Sequence, residues 1–238
     1  MGLWNSVNRL YFSFLQKRLE IKYSHQKDRG SILMFHEVYD CHCVPRKPQT
    51  ATSASNFRRL INSIGVDHFR KPIRSYDDLL CFQAGDYAIT FDDVHKSVIS
   101  NAIPFLREYS IPYVLFVTVE FIDKEGYISA TDLEQLKSDP LCTIGSHAVH
   151  HRKFRFYNKE FFTEIRDSAS ILNAKLFAFP YGSLYAVSRK NIEDLRKSDI
   201  YSCSFSTISS YLTDENILDR WMIPRRSIND QVVDTICD

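Results

Sequence analysis

From residue 31 onward the chain predicts an α/β fold in which helices flank a parallel sheet. Short, continuously apolar runs recur along it, separated by segments of helical periodicity, the pattern of βα units whose strands are buried on both faces. About six or seven such runs fit in roughly 200 residues, which suits a closed, barrel-like sheet or an open doubly wound one. No glycine-rich loop follows any run, and the chain holds only seven glycines, which argues against a nucleotide-binding Rossmann or P-loop domain.

The elements follow in order. Trp4, Val7, Leu10, Tyr11, Phe14 and Leu15 recur at helical spacing beside Arg9, Lys17, Arg18 and Lys22, so residues 1–30 form an N-terminal amphipathic helical segment. Its apolar face is expected to dock on its own domain or a partner, with a membrane surface as the alternative. Ile32–His36 reads as a buried strand. A polar loop runs through Pro48, and residues 56–64 are helical. Ser75 and Asp78 mark the start of a short helix, as N-cap and third helical position. Strands follow at 87–91, 113–117, 142–145, 175–179 and 200–205. Helices are expected near 95–109, 132–137, 158–172 and 187–197.

Residues 31–238 are thus one domain, large enough to bury a full core. The net charge of +1, with no long basic run, excludes a nucleic-acid partner. The 17 Phe and 13 Tyr are assigned mostly to the core. Six cysteines are scattered, and the Cys41-His42-Cys43 cluster lacks the second pair a zinc knuckle needs, so reduced thiols are expected. No stretch approaches the roughly 20 apolar residues of a membrane span. Trp4-Asn5-Ser6-Val7-Asn8-Arg9 is too polar for a secretory leader. The expected location is cytoplasmic, with residues 3–22 available for peripheral contact at the inner membrane face.

Chemistry concentrates at the ends of the apolar runs. Thr90-Phe91-Asp92-Asp93 closes one run, and Ser146-His147-Ala148-Val149-His150-His151 follows another. Together they offer one carboxylate and two imidazoles to a metal, with a second carboxylate left to act as a base. Such a set leaves positions open on a divalent ion, as in a catalytic site. His150 and His151 both compete for the second imidazole position. Pro180-Tyr181 also lies beyond a strand end, the edge where parallel α/β sheets bind ligands. His36 sits at another strand end, as an auxiliary group of the site or as a structural histidine.

In this order, with Phe177-Ala178-Phe179-Pro180-Tyr181-Gly182, these segments resemble the first three motifs of the polysaccharide deacetylases, carbohydrate esterase family 4. Ile32–Val38 and Trp221-Met222-Ile223-Pro224-Arg225 are similar to the family as well, so the likeness spans about residues 31–228. It implies a deformed (β/α) barrel and removal of N- or O-acetyl groups from sugars of a bacterial surface glycan or its precursor. It implies Asp92 as general base, Asp93, His147 and His151 as metal ligands, and Pro180 and Tyr181 as the acetyl pocket, with the Tyr181 N–H on the oxyanion. The ion would be Zn2+, with Co2+, Ni2+ or Mn2+ as alternatives. Two departures stand out. Ala178 occupies the place of the arginine that many members carry beside the base, and Arg225 is the candidate replacement. The late Leu-x-His motif that supplies the general acid is missing, leaving His36, His150, a metal-bound water or no group at all as the donor. Two alternatives follow: a catalytically impaired glycan-binding relative, and a metal-dependent amidase acting on a small non-sugar C–N bond.

Overall fold

A computed structural model of the protein describes residues 2–24, 29–40, 43–155 and 160–237, and side chains from residue 8 onward. Trp4 and Val7 as side chains, and Cys41 and His42 altogether, lie outside this description. The chain opens with helix α1 (Gly2–Tyr23) and strands β1 (Ser31–Phe35), β2 (Glu37–Tyr39) and β3 (Ala51–Ser53). Helices α2 (Ala54–Ile64) and α3 (Tyr76–Leu80) lead to β4 (Tyr87–Asp92). Then α4 (Ile103–Glu108), β5 (Tyr113–Val117), α5 (Ala130–Lys137), β6 (Cys142–Ser146), α6 (Glu160–Leu172), β7 (Leu176–Ala178), α7 (Arg189–Ser198) and β8 (Cys203–Phe205) alternate. The two-residue strand β9 (Arg226–Ser227) and helix α8 (Asp230–Cys237) complete it.

Seven strands form one sheet in the order β8-β7-β6-β5-β4-β1-β9, and every pairing is parallel. The segment carrying β9 also reaches the opposite edge, since Ile223 bridges Phe205 in β8 while Arg226 pairs with Leu33 in β1. Residues 223–227 therefore span the two edges, and the sheet curls into the deformed barrel that the sequence predicts.

Both faces are buried. Leu33, Phe35, Ile89, Phe91, Leu115 and Val117 face one apolar cluster with α2 and α4. Their neighbours Ile32, Ala88, Val114 and Phe116 face a second, with Leu176, Cys203, Phe205 and Ile223. Alternate residues thus enter different cores, which is why the strands read as unbroken apolar runs. At α3 the Asp78 carboxylate accepts from the Ser75 N–H at 2.9 Å.

Several expectations change. The helix expected over 95–109 is a π-helical turn at Val98–Ala102 followed by α4. The short pair β2–β3 and helix α8 are additions. One residue joins them: Asp230 accepts from the Ser53 N–H, the Asn56 amide and the Tyr39 hydroxyl. In α1 the stripe the sequence singles out is divided among its described members, Leu15 docking and the others not. Phe12, Leu15, Leu19 and Tyr23 turn inward, whereas Leu10, Tyr11 and Phe14 are exposed. Cys43, Cys81, Cys142, Cys203 and Cys237 are free thiols.

Candidate active site

Three strand ends share one backbone device. After β4 the chain turns sharply, with Asp93 and Val94 in the left-handed region (φ 62° and 49°) and the Val94 N–H bonded to the Asp92 carbonyl at 2.7 Å. Left-handed geometry is strained for β-branched Val94, which is fully buried and held there by its surroundings. Ala148 after β6 (φ 67°) and Tyr181 after β7 (φ 59°) do the same. Each kink ends strand pairing and throws the adjoining side chains across the sheet edge. At the third kink Gly182 is required, because a Cβ there would lie 2.7 Å from the Thr207 backbone nitrogen.

Asp92 is gripped by Arg225. The guanidinium donates to both carboxylate oxygens at 2.6 and 2.7 Å, and both residues are buried. Arg225 is itself fixed by the Ser206 carbonyl at 3.1 Å and the Thr90 hydroxyl at 3.2 Å, and lies beside the Phe116 and Phe205 rings. A bidentate pair of this kind sets orientation as well as charge. Burial alone would raise the Asp92 carboxyl, but Arg225 and His147 outweigh it and hold it well below the usual carboxylate range.

Asp93 faces the other way. Its Oδ1 accepts from the Thr118 hydroxyl at 3.2 Å and lies 3.4 Å from His151 Nε2 and 3.9 Å from His147 Nε2. Its Oδ2 lies 3.9 Å from Lys47 Nζ. His147 Nδ1 is 2.8 Å from the Ala178 carbonyl. A carbonyl only accepts, so Nδ1 carries the proton and Nε2 presents its lone pair toward the space between Asp93, at 3.9 Å, and Asp92, at 4.0 Å. Burial lowers the His147 pKa to about 4, keeping the ring neutral.

His150 does not compete for the site. Its Nδ1 pairs with Glu164 at 2.6 Å, and the other oxygen of that carboxylate accepts from the Val149 and His150 backbone N–H groups. Buried Glu164 thereby clamps the loop between the two ring-bearing positions. The His151 ring lies 4.6 Å from that of Tyr181, which is half-exposed at the rim. No described residue accepts from the Tyr181 N–H. His36 follows β1 directly and lines the cleft with Asp92, Asp93, Lys47, His95 and Tyr127. Its Nδ1 is buried without a hydrogen-bond partner. Burial lowers its pKa, against the opposing pull of Asp92 and Asp93.

A family model described as polysaccharide deacetylase matches residues 80–198, half of the chain, including all three kinked strand ends. The chain belongs to the polysaccharide deacetylase family. No curated protein sequence matches it. Solved structures share its fold at low identity. A polysaccharide deacetylase from Bacillus cereus, BC0361, is 17% identical with a TM-score of 0.71, over 88% of this chain and 68% of that one. IcaB from Ammonifex degensii gives 17% and 0.68, over 89% and 97%. The Streptococcus pyogenes deacetylase PplD, solved with acetate, gives 17% and 0.69, over 84% and 92%.

In this member of the family, Asp93, His147 and His151 fit a divalent ion. One ligand atom from each lies within 4.8 Å of the others, so small side-chain rotations bring all three to bonds of about 2.0–2.2 Å. Among the described residues no other such set of three or more His, Cys, Asp or Glu groups occurs. The outer bonds to Ala178 and Thr118 are the kind that orient ligands.

Thr118, Lys47 and Glu164 are parts of the site that sequence reasoning missed. Thr118 had a usable signal, since it follows the apolar run of β5 as Asp92 ends that of β4. Glu164 had none: it sits mid-helix, 14 residues from His150.

Proposed function

We propose that the protein is a metal-dependent hydrolase that removes acetyl groups from N-acetylated sugars of a bacterial surface glycan or its precursor. The observation that carries this reading is the division of labour between two neighbouring carboxylates. Asp92 is locked on Arg225, while Asp93 lies near both His151 and His147, whose Nε2 is 3.9 Å from Asp93 and 4.0 Å from Asp92.

Held by Asp93, His147 and His151, a Zn2+ ion supplies Lewis-acid polarisation of the acetyl carbonyl and a lowered pKa for water. Asp92, kept ionised and aimed by Arg225, takes the proton of the attacking water as its oxygen bonds to the carbonyl carbon. The Tyr181 N–H donates to the oxygen that becomes negative, with Pro180 and the Tyr181 ring beside the acetyl methyl. As the C–N bond breaks, the proton that Asp92 took from water passes by way of His36, neutral at rest, to the departing sugar nitrogen, and acetate and a free amine result. His36 is the candidate because it shares the cleft with Asp92, whereas His150 is tied to Glu164.

The test is acetate release from N-acetylated glycan oligomers by the zinc-loaded protein. Stoichiometric acetate and free amine, both absent with Asp92→Asn, are the expected result. Sugar binding without acetate would make the chain an impaired relative, and turnover of cyclic imides or ureides alone would make it an amidase.

A further inference from the structure

Helix α1 has two apolar stripes, and the fold uses one of them. The inner stripe docks on loops beyond the C-terminal ends of β7 and β8. Gln16 accepts from the Leu184 N–H at 3.2 Å, Glu20 accepts from the Ser209 N–H at 3.1 Å, and Lys22 pairs with Glu215 at 2.6 Å. Phe12 lies 6.4 Å from the Tyr185 ring, and Tyr23 is buried. These contacts fix the rotation of the helix about its axis. The outer stripe consequently stays exposed: Leu10 at 72%, Tyr11 at 57%, Phe14 at 60% and Ile21 at 59%. At 100° per residue these four share one side of the helix.

The charges are sorted in the same way. The one acid of α1 from residue 8 onward, Glu20, is turned inward to Ser209 and Gln16. Arg18 lies on the outer stripe with its guanidinium 5.8 Å from the Phe14 ring, and exposed Lys17 flanks it. Among the described residues neither has a carboxylate partner. An aromatic and aliphatic stripe bordered by unneutralised cations complements an anionic lipid surface, with rings among the headgroups and cations on the phosphates. No described helix is long and apolar enough to cross a membrane, so this one would lie in the interface.

We infer that the outer face of α1 seats the protein on an anionic bilayer. The loop that receives Gln16 is the one that carries Tyr181, three residues before Leu184. The helix thus docks on the loop that carries Tyr181 at the rim of the candidate active site, which suits a glycan held at a membrane. The inference does not rest on the proposed reaction, and its test needs no turnover.

The experiment is co-sedimentation of the full chain with vesicles of phosphatidylcholine, with and without added phosphatidylglycerol. Binding is expected to rise on the order of tenfold with the anionic lipid and to fall with salt. Phe14→Ser with Ile21→Ser should abolish it. Lys17→Ser with Arg18→Ser should remove the preference for anionic lipid while leaving the helical circular-dichroism signal unchanged. Equal binding to both vesicle types, or binding that both double variants retain, overturns the inference. So does an outer face that instead holds a second copy, seen as a dimer in light scattering that Phe14→Ser with Ile21→Ser dissociates.

Discussion

Arg225 holds Asp92 through two N–H···O bonds of 2.6 and 2.7 Å, although 133 positions separate the residues in sequence. The pairing holds the pKa of one carboxylate of the Asp92-Asp93 dipeptide low and leaves its neighbour to face the imidazoles.

Asp92→Asn keeps the shape of the group and one acceptor for Arg225 while removing the base. Acetate release is expected to fall by about 10²–10⁴-fold, with metal stoichiometry near wild type. Undiminished turnover would refute the assignment. Asp92→Ala should in addition lose roughly 3–5 kcal/mol of stability, because it strands a buried guanidinium.

Arg225→Lys replaces a planar fork with a point charge that cannot hold both oxygens. Burial raises the Asp92 carboxyl and Arg225, with His147, opposes that effect, so weakening the pair lets its pKa rise. The acid limb of the pH profile of kcat/KM should move to higher pH. An unshifted limb would show that Arg225 does not tune the base.

Asp93→Ala and His147→Ala should each abolish retention of zinc after reconstitution and desalting, whereas the wild type retains about one ion per chain. Metal analysis reads this directly. Glu164→Ala, which touches no ligand atom but frees the Val149–His150 backbone, should weaken zinc binding by about 10–100-fold. Unchanged affinity in that variant would make the clamp irrelevant to the site.

The metal-free protein should lose stability as pH falls from about 6.5 toward 4. In that window the unfolded chain protonates His147, while the native ring, with its pKa lowered to about 4 by burial, does not. The loss reaches up to about 1.4 kcal/mol per pH unit for this one group. Asp92, whose pKa is depressed, contributes its own loss only below this window. Thermal melts at pH 7 and pH 5 test the point: His147→Gln should show a smaller drop, and a wild-type melt that does not move would contradict it.

How far the sequence could be read depended on which force shaped each part. The central strands were legible because residues such as Leu115 and Phe116 point into different cores and leave no polar gap. Strands β2, β3 and β9, of two or three residues, are too short for any period to register. In α1 a 3.6-residue period revealed apolar stripes but not which of them docks. That depended on Leu184, Ser209 and Glu215, remote in sequence. The residues named as site candidates lie at or just beyond strand ends or on the segment before β9, as Thr118 does after β5, whereas the supports on Glu164 and the Ala178 carbonyl follow no spacing rule.

The strand order places β1 between β4 and β9, so the chain's early and late segments are neighbours in space. His36 and Arg225, far apart in sequence, thus both come to Asp92, the first beside it in the cleft and the second buried behind it. In such an architecture linear motif order is a historical accident rather than a mechanical requirement. A proton donor missing from one part of a sequence can be replaced from another without displacing anything in three dimensions. Cutting and rejoining the chain at a loop far from this cleft should leave the constellation intact.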